Sequence, residues 1–252
     1  MYICATLSDG RKEDSRQSSG NISPKTVPTG RDTGLNKDEK PPKEGDGRTP
    51  MIVFTPYSPY MVVDVDKLTG PGGRELPLEA VTSLCRCGAS GHKPYCDGSH
   101  SRIGFVGKRE RSTPSGRSQE YAGKYITIHD NRRVCAHSAE CLRGLPAVFK
   151  KDGKPWIDPD AATAEEIIRV IESCPSGALS YTVNGELHKD WGDGPPVIKV
   201  DKGGPLRCTG GIAIKDADGS APEAKSHYTL CRCGKSANKP FCDGKHWKER
   251  FE

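Results

Sequence analysis

The stretch CRCGASGHKPYCDGSH (85–100) returns further along the chain as CRCGKSANKPFCDGKH (231–246). Cys85, Cys87, Cys96 and His100 map onto Cys231, Cys233, Cys242 and His246 at a constant offset of 146 residues. The flanks echo each other as well: PYMVVDVDKLTGPGG precedes the first copy and PPVIKVDKGGPL the second. Two homologous modules therefore flank a different central region. Each copy offers three thiols and one imidazole in the spacing C-x-C-x8-C-x3-H. Such a compact set of soft and borderline ligands can close around one centre, and Cys3His is also a legitimate zinc set. The Cys-Arg-Cys pair is tighter than the two-residue gap of zinc ribbons and fingers. Gly88, Gly91 and Pro94 should fold the loop back so that Cys96 meets the first pair. Asp97 reads as the N-cap of a short helix, with His100 three residues on and its ring able to turn back toward the centre.

These residues carry a resemblance. Both copies resemble the CDGSH iron–sulfur family, whose pattern C-x-C-x2-[ST]-x3-P-x-C-D-G-x-H is met with Ser90 and Pro94 in the first copy and Ser236 and Pro240 in the second. Lys245 stands where the family name has Ser, a variable position. The resemblance implies a [2Fe–2S] cluster in each copy. Cys85 and Cys87 would hold the inner iron of the first, Cys96 and His100 the outer one. Cys231 and Cys233, then Cys242 and His246, would do the same in the second. A [2Fe–2S]²⁺ core with four thiolates carries a charge of −2 when oxidised, whereas three thiolates and a neutral imidazole leave −1. An electron enters the less negative centre more easily, so the potential should lie above that of a plant-type ferredoxin. The imidazole also makes redox and cluster stability depend on pH. Arg86, Arg232, Lys93 and Lys239 read either as electrostatic support for an anionic centre or as a solvated face. Tyr95 and Phe241 read as packing residues that shield it.

Cysteine usage supports metal over disulfides. The 252 residues hold 11 cysteines. Nine fall into three sets of three, the third being Cys135, Cys141 and Cys174, with Cys4 and Cys208 left over. Sets of three cannot pair off internally, and residues 1–10 lack the charged start and apolar run of a secretory signal. The expected compartment is reducing: cytoplasmic, or an organelle lumen in a eukaryote, and not secreted. No apolar run is long enough to span a membrane. The net charge of +5 is small and spread out, which speaks against a nucleic-acid binder. With 29 Gly and 20 Pro and a mean hydropathy of −0.67, short strands and turns should outnumber long helices.

The chain divides into five expected segments. Residues 1–50 form a polar tail too poor in large aliphatics to order itself. Residues 51–107 make the first module, 108–119 a linker with solvated basic residues, 120–182 a middle module and 183–252 the second module. Strands are expected at 51–54, within 59–68, and at 125–129, 197–200 and 212–214. In the middle region Thr163 and Glu166 form a capping box for a helix over 164–173. Ile167, Val170, Ile171 and Cys174 share one face of it, and Pro175 stops it. Asn184-Gly185 in ALSYTVNGELH (178–188) predicts a hairpin with a type I′ turn. The pattern Cys135-x5-Cys141 followed by Cys174-Pro175, with VF (148–149), PWIDP (155–159) and CPSGAL (174–179), resembles the divergent single-cluster ferredoxins. A full ferredoxin run would place a cysteine where Ser138 stands. Three thiolates suit a [3Fe–4S] cluster; a [4Fe–4S] cluster needs a fourth ligand from His137, Ser138 or a remote thiol such as Cys208. Otherwise His137 is a surface residue, and Cys4 and Cys208 are inert thiols.

The expected fold is α+β and β-rich. Two small CDGSH modules form β-caps and cluster sites, able to pair as an intrachain pseudo-dimer, with an α+β ferredoxin-like module inserted between them. The expected function is electron transfer through two [2Fe–2S] clusters and one [3Fe–4S] or [4Fe–4S] cluster. Transfer of clusters or iron, and redox or pH sensing, are the alternatives, and a structural zinc module comes last. No catalytic machinery is visible. The expected partner is a redox protein or an apo-protein acceptor, with no nucleic acid and no membrane span, and a monomer is favoured over an obligate homodimer.

Overall fold

The computed structural model describes residues 47–110, 118–192 and 194–252. Residues 1–46 of the expected N-terminal tail, Cys4 included, and most of the linker lie outside them. The first copy contributes β1 (Met51–Val53), β2 (Tyr60–Val63), β3 (Lys67–Thr69), β4 (Val81–Leu84) and α1 (Ser99–Arg102). The middle region adds β5 (Gln119–Ala122), β6 (Thr127–Asp130), α2 (Glu140–Gly144), α3 (Ala164–Glu172), β7 (Leu179–Val183) and β8 (Glu186–His188). The second copy follows with β9 (Val197–Val200), β10 (Leu206–Thr209), β11 (Ala213–Lys215), β12 (His227–Leu230) and α4 (Lys245–Lys248). The molecule is thus β-rich α+β, as its turn-heavy composition requires.

The duplicated strands pair by exchange. One sheet has the order β11-β1-β2-β4 and its mate the order β12-β10-β9-β3. In the first, β11 of the second copy runs parallel to β1, with Met51 opposite Ala213. In the second, β3 of the first copy runs parallel to β9, with Lys67 opposite Val197. Each copy thus lends one edge strand to the other, and every strand of one has its counterpart 146 residues away. This is the intrachain pseudo-dimer, and it buries one shared core. Ile52, Tyr60, Val62, Leu68 and Leu84 meet Ile198, Leu206, Tyr228, Leu230 and Phe241 in it. Neither three-residue donated strand could bury its side chain alone; lodged in the other copy's sheet, Leu68 is fully buried.

The run 59–68 is two strands, because Asp64 adopts a left-handed φ of +55° and ends β2. Cys208 sits in the shared core, fully buried. Burial raises its thiol pKa far above the ordinary range, as an inert thiol requires.

The middle region forms a third sheet, β5-β6-β7-β8, with α3 packed on it. Thr163 Oγ1 accepts from the Glu166 N–H and the Glu166 carboxylate accepts from the Thr163 N–H, so the capping box is formed. Ile167 and Ile171 are buried on the helix face that the sequence pattern marks. Asn184 (φ +52°) and Gly185 (φ +81°) make the hairpin turn and carry the sheet to His188, beyond residue 182. Gln119, expected in the linker, opens β5. Among the described residues no helix is long and apolar enough to cross a membrane.

Candidate metal centres

Each duplicated motif follows its last hydrogen-bonded strand, β4 or β12, into a tight loop. Ser90 Oγ and Ser236 Oγ both donate to the carbonyl of the aromatic residue before the third cysteine, Tyr95 or Phe241, at 2.7 Å. Lys93 Nζ and Lys239 Nζ donate to the carbonyls of Ser90 and Ser236 at 2.8 and 2.6 Å. The loops close through cis peptides at Pro94 and Pro240. The N-cap positions of α1 and α4 are Gly98 and Gly244, not the preceding aspartates. Asp97 instead accepts from the Ser99 and Gly91 N–H groups, and the Ser99 hydroxyl, followed by these bonds, holds its carboxyl well below the usual carboxylate range. Asp243 bonds Lys245 and Ala237 in the same way.

The four side chains of each motif come together as two pairs. Cys85 and Cys87 Sγ stand 3.7 Å apart, and so do Cys231 and Cys233 Sγ. Cys96 Sγ lies 3.2 Å from His100 Nδ1, and Cys242 Sγ 3.4 Å from His246 Nδ1. Two thiolates bound at about 2.3 Å to one tetrahedral metal stand about 3.8 Å apart, and a thiolate and an imidazole nitrogen about 3.5 Å. Each pair therefore has the span of one edge of a coordination tetrahedron. Among the described residues no group of three or more Cys, His, Asp or Glu could hold a single metal ion. Two separated edges fit a centre with two metals better than one zinc ion, which needs all four ligands at once. Backbone N–H groups point at the sulfurs: Ala89 to Cys87 at 3.5 Å, Gly98 to Cys96 and Gly244 to Cys242 at 3.4 Å each.

The two loops meet at the pseudo-two-fold axis. A Cβ on Gly88 (φ +83°) or on Gly234 (φ +76°) would strike the backbone carbonyl of Cys233 or Cys87 in the other copy. Only glycine fits there, for its left-handed φ and for this close approach. Arg86 and Arg232 are buried, so neither belongs to a solvated face. Arg86 donates to the carbonyls of Thr55 and Gly107 at 2.6 and 2.9 Å, and Arg232 to those of Gly204 and Asp201 at 2.9 and 2.7 Å. Their guanidiniums stack on Phe54 and Phe251. Arg232 senses thiols of both copies, Cys85 and Cys233, so its charge sits between the two sites. Phe241 is buried against Tyr228, the packing role read for it.

Burial sets thiol chemistry. It raises the pKa of Cys87 and of Cys242 above the ordinary thiol range. Within the second pair, the hydrogen bond from Cys233 and then the N–H groups of Ser236 and Gly234 pull Cys231 below the ordinary thiol range, at the expense of Cys233. Cys87 and Cys242 thus favour the protonated thiol when free, so binding a soft metal there must expel protons and acid must oppose it.

The middle cysteines line one small pocket of about 20 Å³ with Asp130, Arg132, His137, Ser138, Trp156 and Ser176. Cys135 comes from the turn ahead of α2, Cys141 from α2 itself, and Cys174 from the turn after α3, just before Pro175. Cys208 is not among the lining residues, whereas both His137 and Ser138 are. Burial and the other two thiols push Cys141 up to about 11. Arg132 Nη1 lies 3.6 Å from Cys135 Sγ, stacks on Trp156 and pairs with buried Asp130 at 3.3 Å. Burial outweighs that cation and raises the Asp130 carboxyl to about 6. Sequence reading missed Asp130 and Arg132; a charged pair at the end of β6 carries no local signal that its carboxylate is buried.

A duplicated fold with soft-ligand pairs, joined to a three-thiol pocket, defines an iron–sulfur class of protein. Comparison with known proteins agrees. Residues 57–101 and 203–247 match the model of the iron-binding zinc finger of CDGSH type, and residues 121–184 match the divergent 4Fe-4S mono-cluster model. The chain therefore consists of two CDGSH-type domains around a divergent mono-cluster domain. It also belongs with the uncharacterized protein YjdI of Escherichia coli strain K12: the two are 43% identical over 61 residues, 24% of this chain and 80% of that protein. The same protein from E. coli O157:H7 matches equally. No solved structure matches the chain.

Proposed function

We propose that the protein is an electron carrier with three iron–sulfur centres. Cys85, Cys87, Cys96 and His100 would hold one [2Fe–2S] cluster and Cys231, Cys233, Cys242 and His246 a second. Cys135, Cys141 and Cys174 would hold a third, of [4Fe–4S] type with His137 or Ser138 as the remaining ligand, or of [3Fe–4S] type without one. When bound, such clusters supply reversible one-electron chemistry. The observation that carries this reading is the pairing of ligands as two tetrahedral edges in each copy, repeated across a pseudo-two-fold axis.

The residues then have distinct tasks. The N–H groups of Ala89, Gly98 and Gly244 lie against the sulfurs, where such bonds stabilise added negative charge. Arg86 and Arg232, held by backbone carbonyls, add fixed positive charge without needing solvent to reorganise. The aromatic residues and strands β4 and β12 keep water from the inner pairs. His100 and His246 lower the negative charge of each site by one unit and can accept a proton. The expected protein is a monomer, because the exchange of β3 and β11 already completes within one chain what two chains would otherwise supply.

Cluster donation is the second reading. Cys96 and His100 are half-buried, so the outer pair of the first copy is open to solvent. Incubating reduced or oxidised holo-protein with an apo-ferredoxin separates the two. Reversible reduction with the iron retained supports electron transfer; iron and sulfide moving to the ferredoxin on the timescale of minutes supports donation.

A further inference from the structure

The duplicated sites are alike in their ligand pairs and unlike in their surroundings. Around the first, His92 and Lys93 are exposed, and Cys96 and His100 are half-buried. Around the second, the matching Asn238 and Lys239 are buried, Cys242 is 3% exposed and His246 6%. The cover is built from the segments between the copies. Asn238 Nδ2 donates to the Arg133 carbonyl at 3.1 Å. Arg109 Nε donates to the Lys239 carbonyl at 3.3 Å, and the Glu110 N–H to the Ala237 carbonyl at 3.1 Å. Three hydrogen bonds thus pin loop 237–239 beneath the middle domain and the linker. His137, held at φ +54°, lays its ring on Gly244 so closely that a Cβ there would collide with it. Even the strand starts differ: Val81 is 50% exposed, whereas His227 at the matching place is 4% exposed and packs on Trp191 at 4.5 Å.

The same contacts bring the middle pocket to the second site. His137, which lines that pocket, packs against Gly244, two residues from Cys242 and two from His246. A basin bordered by Lys202, Trp247 and Arg250 has His246 in its lining, beside Ala136 and Ser138 of the middle domain.

We propose that duplication has been followed by division of labour. The site of His246 is an inner relay serving the middle centre, and the site of His100 is the outer terminal at which a partner protein meets the chain. In the terminal step one electron leaves the first site, which is oxidised, for a one-electron acceptor centre of the partner, which is reduced; no proton or ligand need move. This rests on the iron–sulfur reading above and deepens it by assigning each site its neighbour.

The test uses the intact holo-protein after its iron and sulfide have been counted. It is exposed to a strong iron chelator at mildly acidic pH, and iron release is followed by absorbance. Each hydrogen bond over loop 237–239 should slow opening by a factor of roughly five, so two of the irons should leave roughly a hundredfold faster than the next two. His100→Cys should abolish the fast phase, and His246→Cys should leave it in place. Independently, brief treatment of holo-protein with diethyl pyrocarbonate, read by peptide mass mapping, should label His100 and spare His246. Equal release rates from both sites, or equal labelling of both histidines, overturns the division of labour while leaving the clusters themselves intact. A preparation without iron and sulfide instead overturns the underlying reading, and the two failures are told apart by that first count.

Discussion

His100 and His246 stand where a fourth thiolate would make each site one charge more negative. Replacing either by cysteine should therefore lower the potential of that site, by on the order of 100 mV, and make it less sensitive to acid. Protein-film voltammetry checks this, and an unchanged potential would remove the imidazole from the ligand set. At the same scale, Gly88 and Gly234 hold the two loops back to back. Gly88→Ala must place a side chain at φ +83° against the Cys233 carbonyl. It should destabilise the fold by on the order of 3 kcal/mol, read as a lower denaturation midpoint with an unchanged slope. The ligand residues were legible in the sequence because spacing repeats them twice. The burial of Arg86 and Arg232 was not, because their carbonyl partners at Thr55, Gly107, Asp201 and Gly204 lie roughly 20 to 30 residues away in sequence.

Elements with local signals were read correctly, whereas strands such as β10 and β12 were not. Helix α3 announces itself through Thr163, Glu166 and the stripe of Ile167 and Ile171, and the β7–β8 hairpin through Asn184-Gly185. Thr163→Ala removes one half of the capping box and should cost about 1 kcal/mol, measurable by urea unfolding. Strands β3 and β11, expected within 59–68 and at 212–214, have three residues each, and their pairing with the opposite copy's sheet is what the sequence left open. Strand β12 is buried at all four positions, so it shows no alternation to read. Its first residue, His227, carries a pH dependence. Burial lowers its pKa from 6.5 to about 4, so the fold accepts only the neutral ring. Between pH 6.5 and 4 the unfolded chain takes up a proton that the folded one refuses. Stability is therefore full above pH 6.5 and falls as the pH drops toward 4, by about 3 kcal/mol in all. His227→Val, the residue present at position 81, should flatten that part of the stability–pH curve relative to wild type. An identical slope in both proteins would place the acid sensitivity elsewhere.

The whole molecule is organised by duplication followed by asymmetry. Strand exchange joins the copies into one core, and the middle domain then covers only one of the two sites. The repeat made the pseudo-dimer legible; which copy the middle domain would cover was not, because the docking contacts are single residues such as Asn238 and His137 with no periodic pattern. The account rests on inorganic iron sulfide bound at the duplicated sites. Its most direct test is the metal and acid-labile sulfide content, with EPR, of protein purified without air. Two irons for each duplicated site and three or four for the middle pocket, with matching sulfide, are predicted. A colourless protein holding zinc in those sites and no sulfide would contradict it.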